Sequence, residues 1–263
     1  MQDPPAAGPE MLGSGCSGFV SVDSRDPRLV LKSYEVWHNG RCCYRFEPVD
    51  HGRACLEREA KVYQRLGSHP AILEYHGEVY IADEVLALKL ERAQGDLRTL
   101  MKNQSPPSHE ARLEMAMQIA SGMAHMHRRG VFHCDFSCRN LFVTGPGKVK
   151  IGDFGGSKLG DEEPLGAEEV RYELPLRGRE WEERSYGRRE LFALGCAIYE
   201  IMAWKMPFAE LGEAEVEENY AREVFPELDG IAAGQIIEGC WKEEFPSAED
   251  VLAALREAQS TAP

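Results

Sequence analysis

Along this chain the rhythm of apolar and polar residues changes once, from strand-like alternation in the first third to helical spacing afterwards. In MLGSGCSGFVSV, glycines crowd between apolar ends, the pattern of a strand–turn–strand hairpin. RLVLKSY follows as a β-rich segment in which Leu29 and Leu31 alternate with Val30 and Lys32. RACLEREAKVYQRL carries Leu56, Ala60 and Tyr63 on one stripe and has Gly67 just past its end, which predicts a helix. VYIADEVLALKLE predicts two strands joined at Asp83 and Glu84.

After AQGD the pattern becomes helical. SHEARLEMAMQIASGMAHMHRRG offers Ser108 as N-cap, Ala116, Ile119, Ala120 and Met123 on one face, and Gly130 as the stop. NLFV and VKIG flank the turn TGPGK, which predicts a hairpin with HCDFSCRN and GDFG at its opposite ends. LFALGCAIYEIMAW is apolar nearly all round and predicts a helix buried in the centre of a lobe. Strands before helices predict an α+β fold in two lobes. The expected division is a tail at 1–10, a small antiparallel β-sheet lobe with one helix at 11–93, a larger mainly helical lobe at 94–258, and a tail at 259–263. A hinge near Glu91 to Asp96 places a ligand cleft between the lobes.

Composition removes several alternatives. Thirty Lys and Arg against 44 Asp and Glu give a net charge of −14, which argues against a nucleic-acid or anionic-membrane surface. The longest apolar run is shorter than the roughly 20 residues a hydrocarbon core requires and contains Glu200. The start shows no basic and apolar leader pattern, and the 8 cysteines form no CxxC pairs. The expectation is a reduced, cytoplasmic or nuclear monomer.

GSGCSGFV sets Gly13, Gly15, Gly18 and Val20 in the pattern G-x-G-x-x-G-x-V. Glycine is needed where backbone N–H groups approach phosphates without a Cβ in the way. Taken alone, the same letters describe any glycine-rich turn; the continuation FVSV as a strand favours a flap over phosphates. Lys32 lies among apolar neighbours and needs a partner if buried, for which Glu59 is the candidate; the plainer reading leaves Glu57 and Glu59 on a wet helix face. HCDFSCRN spaces Asp135 and Asn140 so that one loop can offer a carboxylate to a hydroxyl and an amide oxygen to a metal. Asp153 in GDFG adds a second metal-binding carboxylate, and magnesium accepts few protein ligands beside phosphates and water.

GSGCSGFV, Lys32, Glu59, HCDFSCRN and GDFG, in this order and spacing, resemble the eukaryotic protein kinase domain. The resemblance runs over roughly residues 11 to 257, with LERAQGDL as hinge and LFALGCAIYEI as central helix, and has the flavour of compact kinases common in filamentous fungi. It implies a bilobal kinase-like fold and γ-phosphate transfer from ATP, with Mg²⁺, to a protein hydroxyl, preferably serine or threonine. Gly13, Ser14, Gly15, Cys16, Ser17, Gly18 and Val20 would cover the nucleotide. Lys32 would hold its phosphates and pair with Glu59; Glu91 and Ala93 would meet the adenine beside the gatekeeper Leu90, and Asp96 the ribose. Asp135 would act as catalytic base, with Asn140 and Asp153 on the metal.

Several positions depart from the family pattern. Cys134 replaces the arginine that captures an activation-loop phosphate, and only Ser157 and Tyr172 offer hydroxyls between Gly155 and Pro175, amid acidic residues. An enzyme not switched by phosphate there is the expectation. YELP stands in the place of A-P-E, and CWKEEFPSA lacks the arginine that pairs with its glutamate, which points to a substituted anchor. Glu190 replaces the aspartate that braces the catalytic loop, and Val30 replaces a small alanine under the adenine. Ser137 and Arg139 leave serine/threonine against tyrosine preference open. Cys16, Cys134 and Cys138 are read as inert packing, with a reactive thiol near the cleft as the alternative, and the basic stretch from Arg177 to Arg189 as a solvated face or a contact for an acidic substrate. The competing readings are a nucleotide-binding pseudokinase scaffold and a small-molecule kinase of the aminoglycoside type.

Overall fold

The computed structural model describes residues 9–15, 18–39, 41–81 and 84–261. Strands β1 (Met11–Gly15), β2 (Gly18–Val22) and β3 (Leu29–Ser33) form where the glycine-rich and β-rich segments are. On β3 the alternation has a definite sense: Val30 and Lys32 are buried while Leu29 and Leu31 are half-buried. A second hairpin, β4 (Glu35–His38) and β5 (Arg41–Arg45), follows; its signal, an asparagine–glycine pair at Asn39 with φ of +50°, went unread.

Helix α1 (Val49–Leu66) begins before the predicted Arg53 and ends, as expected, at Gly67. It buries Leu56, Glu59, Ala60 and Tyr63 and exposes Glu57, so only one of the two glutamates lies on a wet face. β6 (Tyr75–Ile81) and β7 (Glu84–Glu91) complete an antiparallel sheet of order β1-β2-β3-β7-β6 among the described residues. Glu84 opens β7 rather than forming the turn, and Asp83 lies outside the described residues.

After β8 (Gly95–Asp96), α2 (Leu97–Asn103) is capped by the Asp96 carboxylate, which accepts from the Thr99 N–H at 2.8 Å. Ser108 caps α3 (His109–Arg128), whose predicted apolar face is buried. β9 (Val131–Phe132) leads into HCDFSCRN, and β10 (Leu141–Gly145) pairs antiparallel with β11 (Lys148–Ile151). Because Leu141 faces Ile151, HCDFSCRN and GDFG leave the same open end of this hairpin, not opposite ends. An antiparallel pair brings its entry and exit together, and here the Gly152 N–H donates to the Asn140 carbonyl at 3.1 Å.

β12 (Lys158–Leu159) returns to pair with β9. The remainder is helical: α4 (Tyr186–Ala203), α5 (Glu213–Ala221), α6 (Gly234–Trp241) and α7 (Ala248–Thr261). Arg189 through Met202 of α4 are all buried, the central helix that its apolar sequence demands. Both expected tails are shorter than 1–10 and 259–263. The Glu10 carbonyl accepts from the Val22 N–H at 2.9 Å and so belongs to the sheet, and α7 includes Gln259, Ser260 and Thr261. Residues 1–8 lie outside the described part. Among the described residues no helix is long and apolar enough to cross a membrane.

Close approach of α4 to α6 depends on Gly195, where an added Cβ would stand 2.6 Å from Cys240 Cβ. Overpacking a dense core costs about 1–3 kcal/mol. Gly195→Ala is expected to lower stability by that amount, read as a shift in urea midpoint with an unchanged slope.

Candidate active site

A cavity of about 440 Å³ opens between the sheet and the helical region. Its apolar walls are Leu12, Val20, Val30, Leu73, Leu90 and Phe142, and its polar lining includes Lys32, Glu59, Glu91, Asp96, Asp135, Arg139, Asn140 and Asp153. Gly13, Ser14, Gly15 and Ala93 also line it; Cys16 and Ser17 lie outside the described residues. A larger hollow of about 610 Å³, lined by His69, Gln118, Lys148 and Arg256 among others, contains none of these groups. Volume alone does not find the chemistry here.

The glycines of the flap do different jobs. At Gly18, with φ of +143°, a Cβ would sit 2.4 Å from the Ser33 carbonyl, so the sheet itself requires glycine. At Gly13 and Gly15 nothing lies within 4 Å of such a Cβ. Packing does not explain those two. The open space beside them would let an anion approach the backbone.

Pairing on β3 aims Lys32 inward, beneath Val20 of β2 and beside Leu88 of β7. Its ammonium donates to Glu59 Oε2 at 2.5 Å and to Asp153 Oδ1 at 2.6 Å. Glu59 Oε1 accepts from the Phe154 N–H at 3.3 Å, which joins α1 to GDFG. Burial alone would drive Lys32 neutral, but the Asp153 and Glu59 carboxylates outweigh it and hold the ammonium charged. For Asp153 burial pushes up and Lys32 pulls down, with Lys32 prevailing; for Glu59 burial prevails and raises it.

The catalytic-loop candidate meets this group from below. Asn140 donates its amide to the Asp135 carbonyl at 2.7 Å and to Asp135 Oδ2 at 3.1 Å, which leaves its own Oδ1 as an acceptor. Arg139 Nη2 lies 3.3 and 3.4 Å from the Asp135 oxygens. Burial raises Asp135 above the usual carboxylate value of 3.8, opposed by His133 and Arg139. Cys134 and Asp153 hold φ of +62° and +63°, a conformation few non-glycine residues adopt.

Departures from the family pattern are compensated in place. Glu190 reaches the loop despite its extra methylene: Oε1 accepts from the Cys134 N–H at 2.8 Å and Oε2 from His127 at 2.7 Å. The glutamate of YELP, Glu173, meets Arg184 at 3.5 Å, and a separate pair ties the following residues to CWKEEFPSA. Arg177 and Arg179 pair with Glu243, just beyond α6, at 2.6 and 2.7 Å. Neither solvated face nor substrate contact describes this basic stretch as a whole, because Arg184 and Arg189 are buried and Arg189 meets Glu168 at 2.5 Å. Cys134 and Cys138 are buried with thiols pushed well up, first by burial, and so are inert. Sequence reasoning missed Arg98 and Glu169. Arg98 donates to Glu169 and Glu200, and Glu169 accepts from the Ser137 hydroxyl at 2.6 Å.

Asp96 is split between tasks, capping α2 with one oxygen while lining the cavity. A divalent cation suits the remaining donors: Asn140 Oδ1 and the Asp153 carboxylate are hard oxygens beside a surplus of negative charge. The slot of Val20, Val30 and Phe142 suits a flat apolar ring, with the glycine flap over whatever anion follows it.

Removing one partner of a buried ion pair costs about 3–5 kcal/mol. Lys32→Met is therefore expected to destabilise strongly by stranding Glu59 and Asp153. Adding Glu59→Leu should recover part of the loss, measured as the coupling in a double-mutant cycle by denaturant unfolding.

Comparison with known proteins agrees with this geometry. The family model described as protein kinase domain matches residues 43–257. The chain is 27% identical over 202 residues, 71% of its length, to serine/threonine-protein kinase 12 of Arabidopsis thaliana, and covers 43% of it. It is 31% identical over 217 residues, 73% of its length, to dual specificity testis-specific protein kinase 1 of Rattus norvegicus, covering 33% of that protein. To discoidin domain-containing receptor tyrosine kinase B of Caenorhabditis elegans it is 27% identical over 171 residues, 62% of its length, covering 21%. The chain thus spans less than half the length of each of these relatives. With glycine flap, buried lysine, catalytic loop and GDFG gathered on one cavity, the chain belongs to the protein kinase domain family.

Proposed function

We propose that this protein transfers the γ-phosphate of ATP to a serine or threonine hydroxyl of a protein substrate. The observation that supports this reading most is the convergence of Lys32, Asp135, Asn140 and Asp153 on one cavity. In this reading Val20, Val30, Leu73 and Phe142 grip the base, and the hinge residues Glu91 and Ala93 meet its edge. Lys32, held by Glu59, neutralises phosphate oxygens. Asp135 orients the incoming hydroxyl and takes its proton, while the Asn140 amide fixes the carboxylate. Asn140 and Asp153 would hold Mg²⁺, which supplies charge neutralisation on the phosphates. The preference for serine or threonine follows the name of the first relative; the tyrosine-kinase relative and Arg139 keep tyrosine as the second reading.

Independence from activating phosphorylation is part of the same reading. Ser157 and Tyr172 are both fully buried, and the Tyr172 hydroxyl is bonded to Glu200. The segment has carboxylates of its own where a phosphate would serve. Glu162 meets Arg58 of α1 at 3.1 Å and Lys61 at 3.7 Å, and Glu168 meets Arg189. Protein made without any modifying kinase is expected to be active at once.

Radiolabel transfer from ATP to a mixed protein substrate tests the assignment. Asp135→Ala should lower the rate by about 10²- to 10⁴-fold, the usual range for a positioned base. Equal labelling by both proteins, or nucleotide binding without turnover, would reject it. The pH profile carries a second expectation. The base works ionised, so kcat/KM falls as pH drops through the pKa of Asp135, which burial holds above 3.8. Arg139 opposes that rise; Arg139→Leu should move the acid limb to higher pH.

A further inference from the structure

Arg139 reaches Asp135 from a side chain that is 52% exposed, and a long exposed arginine does not hold one geometry unaided. What holds it comes from elsewhere in the chain. Glu169, between β12 and α4, lies 3.4 Å from Arg139 Nε. Its carboxylate is itself fixed from the other side. Arg98 Nη1 lies 3.0 and 2.7 Å from its two oxygens, and the Ser137 hydroxyl donates to Oε1 at 2.6 Å. Arg98 in turn is clamped by Glu200 of α4 at 3.0 and 3.2 Å.

The result is a ladder of alternating charge, Glu200, Arg98, Glu169, Arg139, Asp135. Side-chain exposure rises along its first four members, from 1% to 11%, 23% and 52%. Anchoring therefore runs outward from the buried helix α4, and Glu169 is the last mostly covered member before the exposed arginine. Burial works against charge on Glu169, but Ser137 and Arg98 outweigh it and keep the carboxylate ionised.

We propose that Glu169 is a positioning residue for phosphoryl transfer: it holds the Arg139 guanidinium over Asp135, and through it the orientation of the base. This rests on the kinase reading above. It differs from a role in stability because it predicts dependence on Arg139.

Two readouts test it. ¹⁵N relaxation of the Arg139 Nε–Hε group needs no turnover. In the wild type this group should be ordered, and in Glu169→Gln, which keeps the Ser137 contact but loses the charge, it should become mobile. Equal order in both proteins overturns the proposal. Kinetically, Glu169→Gln should lower kcat by about 10- to 100-fold, the scale of a small misplacement of reacting groups, with KM for ATP unchanged. In an Arg139→Leu background the same substitution should cost nothing further. A loss that is equal in both backgrounds, or one confined to KM or to thermal stability, rejects positioning. Failure of the kinase reading is recognised separately, by wild type and Asp135→Ala labelling alike, and the relaxation measurement then still decides whether Glu169 holds Arg139.

Discussion

One buried ammonium holds this structure in its working form. Lys32 on β3, Glu59 on α1 and Asp153 beyond β11 come from three distant parts of the chain and meet within 2.6 Å contacts. Each would be costly in isolation, because a charge removed from water must find its opposite. Their closure therefore fixes α1 against the sheet and GDFG against α1 at once. It also leaves a residue of charge. One cation faces two carboxylates, with Asp135 lining the same cavity. Arg139 balances Asp135 in turn, and the Asp153 carboxylate is the oxygen donor that the proposed function assigns to a metal ion.

The same economy runs through the rest of the helical region. Between β12 and α4 this chain pairs its glutamates with basic residues: Glu162 with Arg58 and Lys61, Glu168 with Arg189, Glu169 with Arg98. In the same segment Arg177 and Arg179 pair with Glu243. The partly buried members of these pairs do more than exposed ion pairs, whose net worth is about 0–1 kcal/mol. A net charge of −14 thus conceals basic residues that are largely spoken for. The acidic composition argued against a nucleic-acid surface; it also reflects the many carboxylates used internally.

Legibility in the sequence followed the range of the interaction. Capping by Ser108, the stop at Gly130 and the all-apolar run of α4 are local, and each was readable from its own window. Lys32 and Glu59 were readable only as candidates: helical spacing sets Glu59, unlike Glu57, on the Leu56, Ala60 and Tyr63 stripe, but names no partner for it. The motif order, not periodicity, tied them together. Arg98 and Glu169 stayed hidden because their meaning lies in contacts across 71 residues of chain. The placement of the two loops at opposite hairpin ends failed for a plain reason: pairing direction, not order along the chain, decides what is adjacent in space. Asn39 and its following glycine, by contrast, were a local signal passed over.

Of the eight non-glycine residues at positive φ among the described residues, two belong to the loops that line the cavity. Cys134 and Asp153 both sit at positive φ, at a cost of order 1–3 kcal/mol each. Neither is glycine, and both are overdetermined by their surroundings. Glu190 fixes the Cys134 amide, and Lys32 fixes the Asp153 carboxylate. Asp135, which follows Cys134, and Asp153 line one cavity together with Gly13 and Gly15, whose missing Cβ atoms no packing demands. Positive-φ backbone and bare glycine backbone thus border the same opening, and the phosphoryl-transfer proposal rests on that convergence.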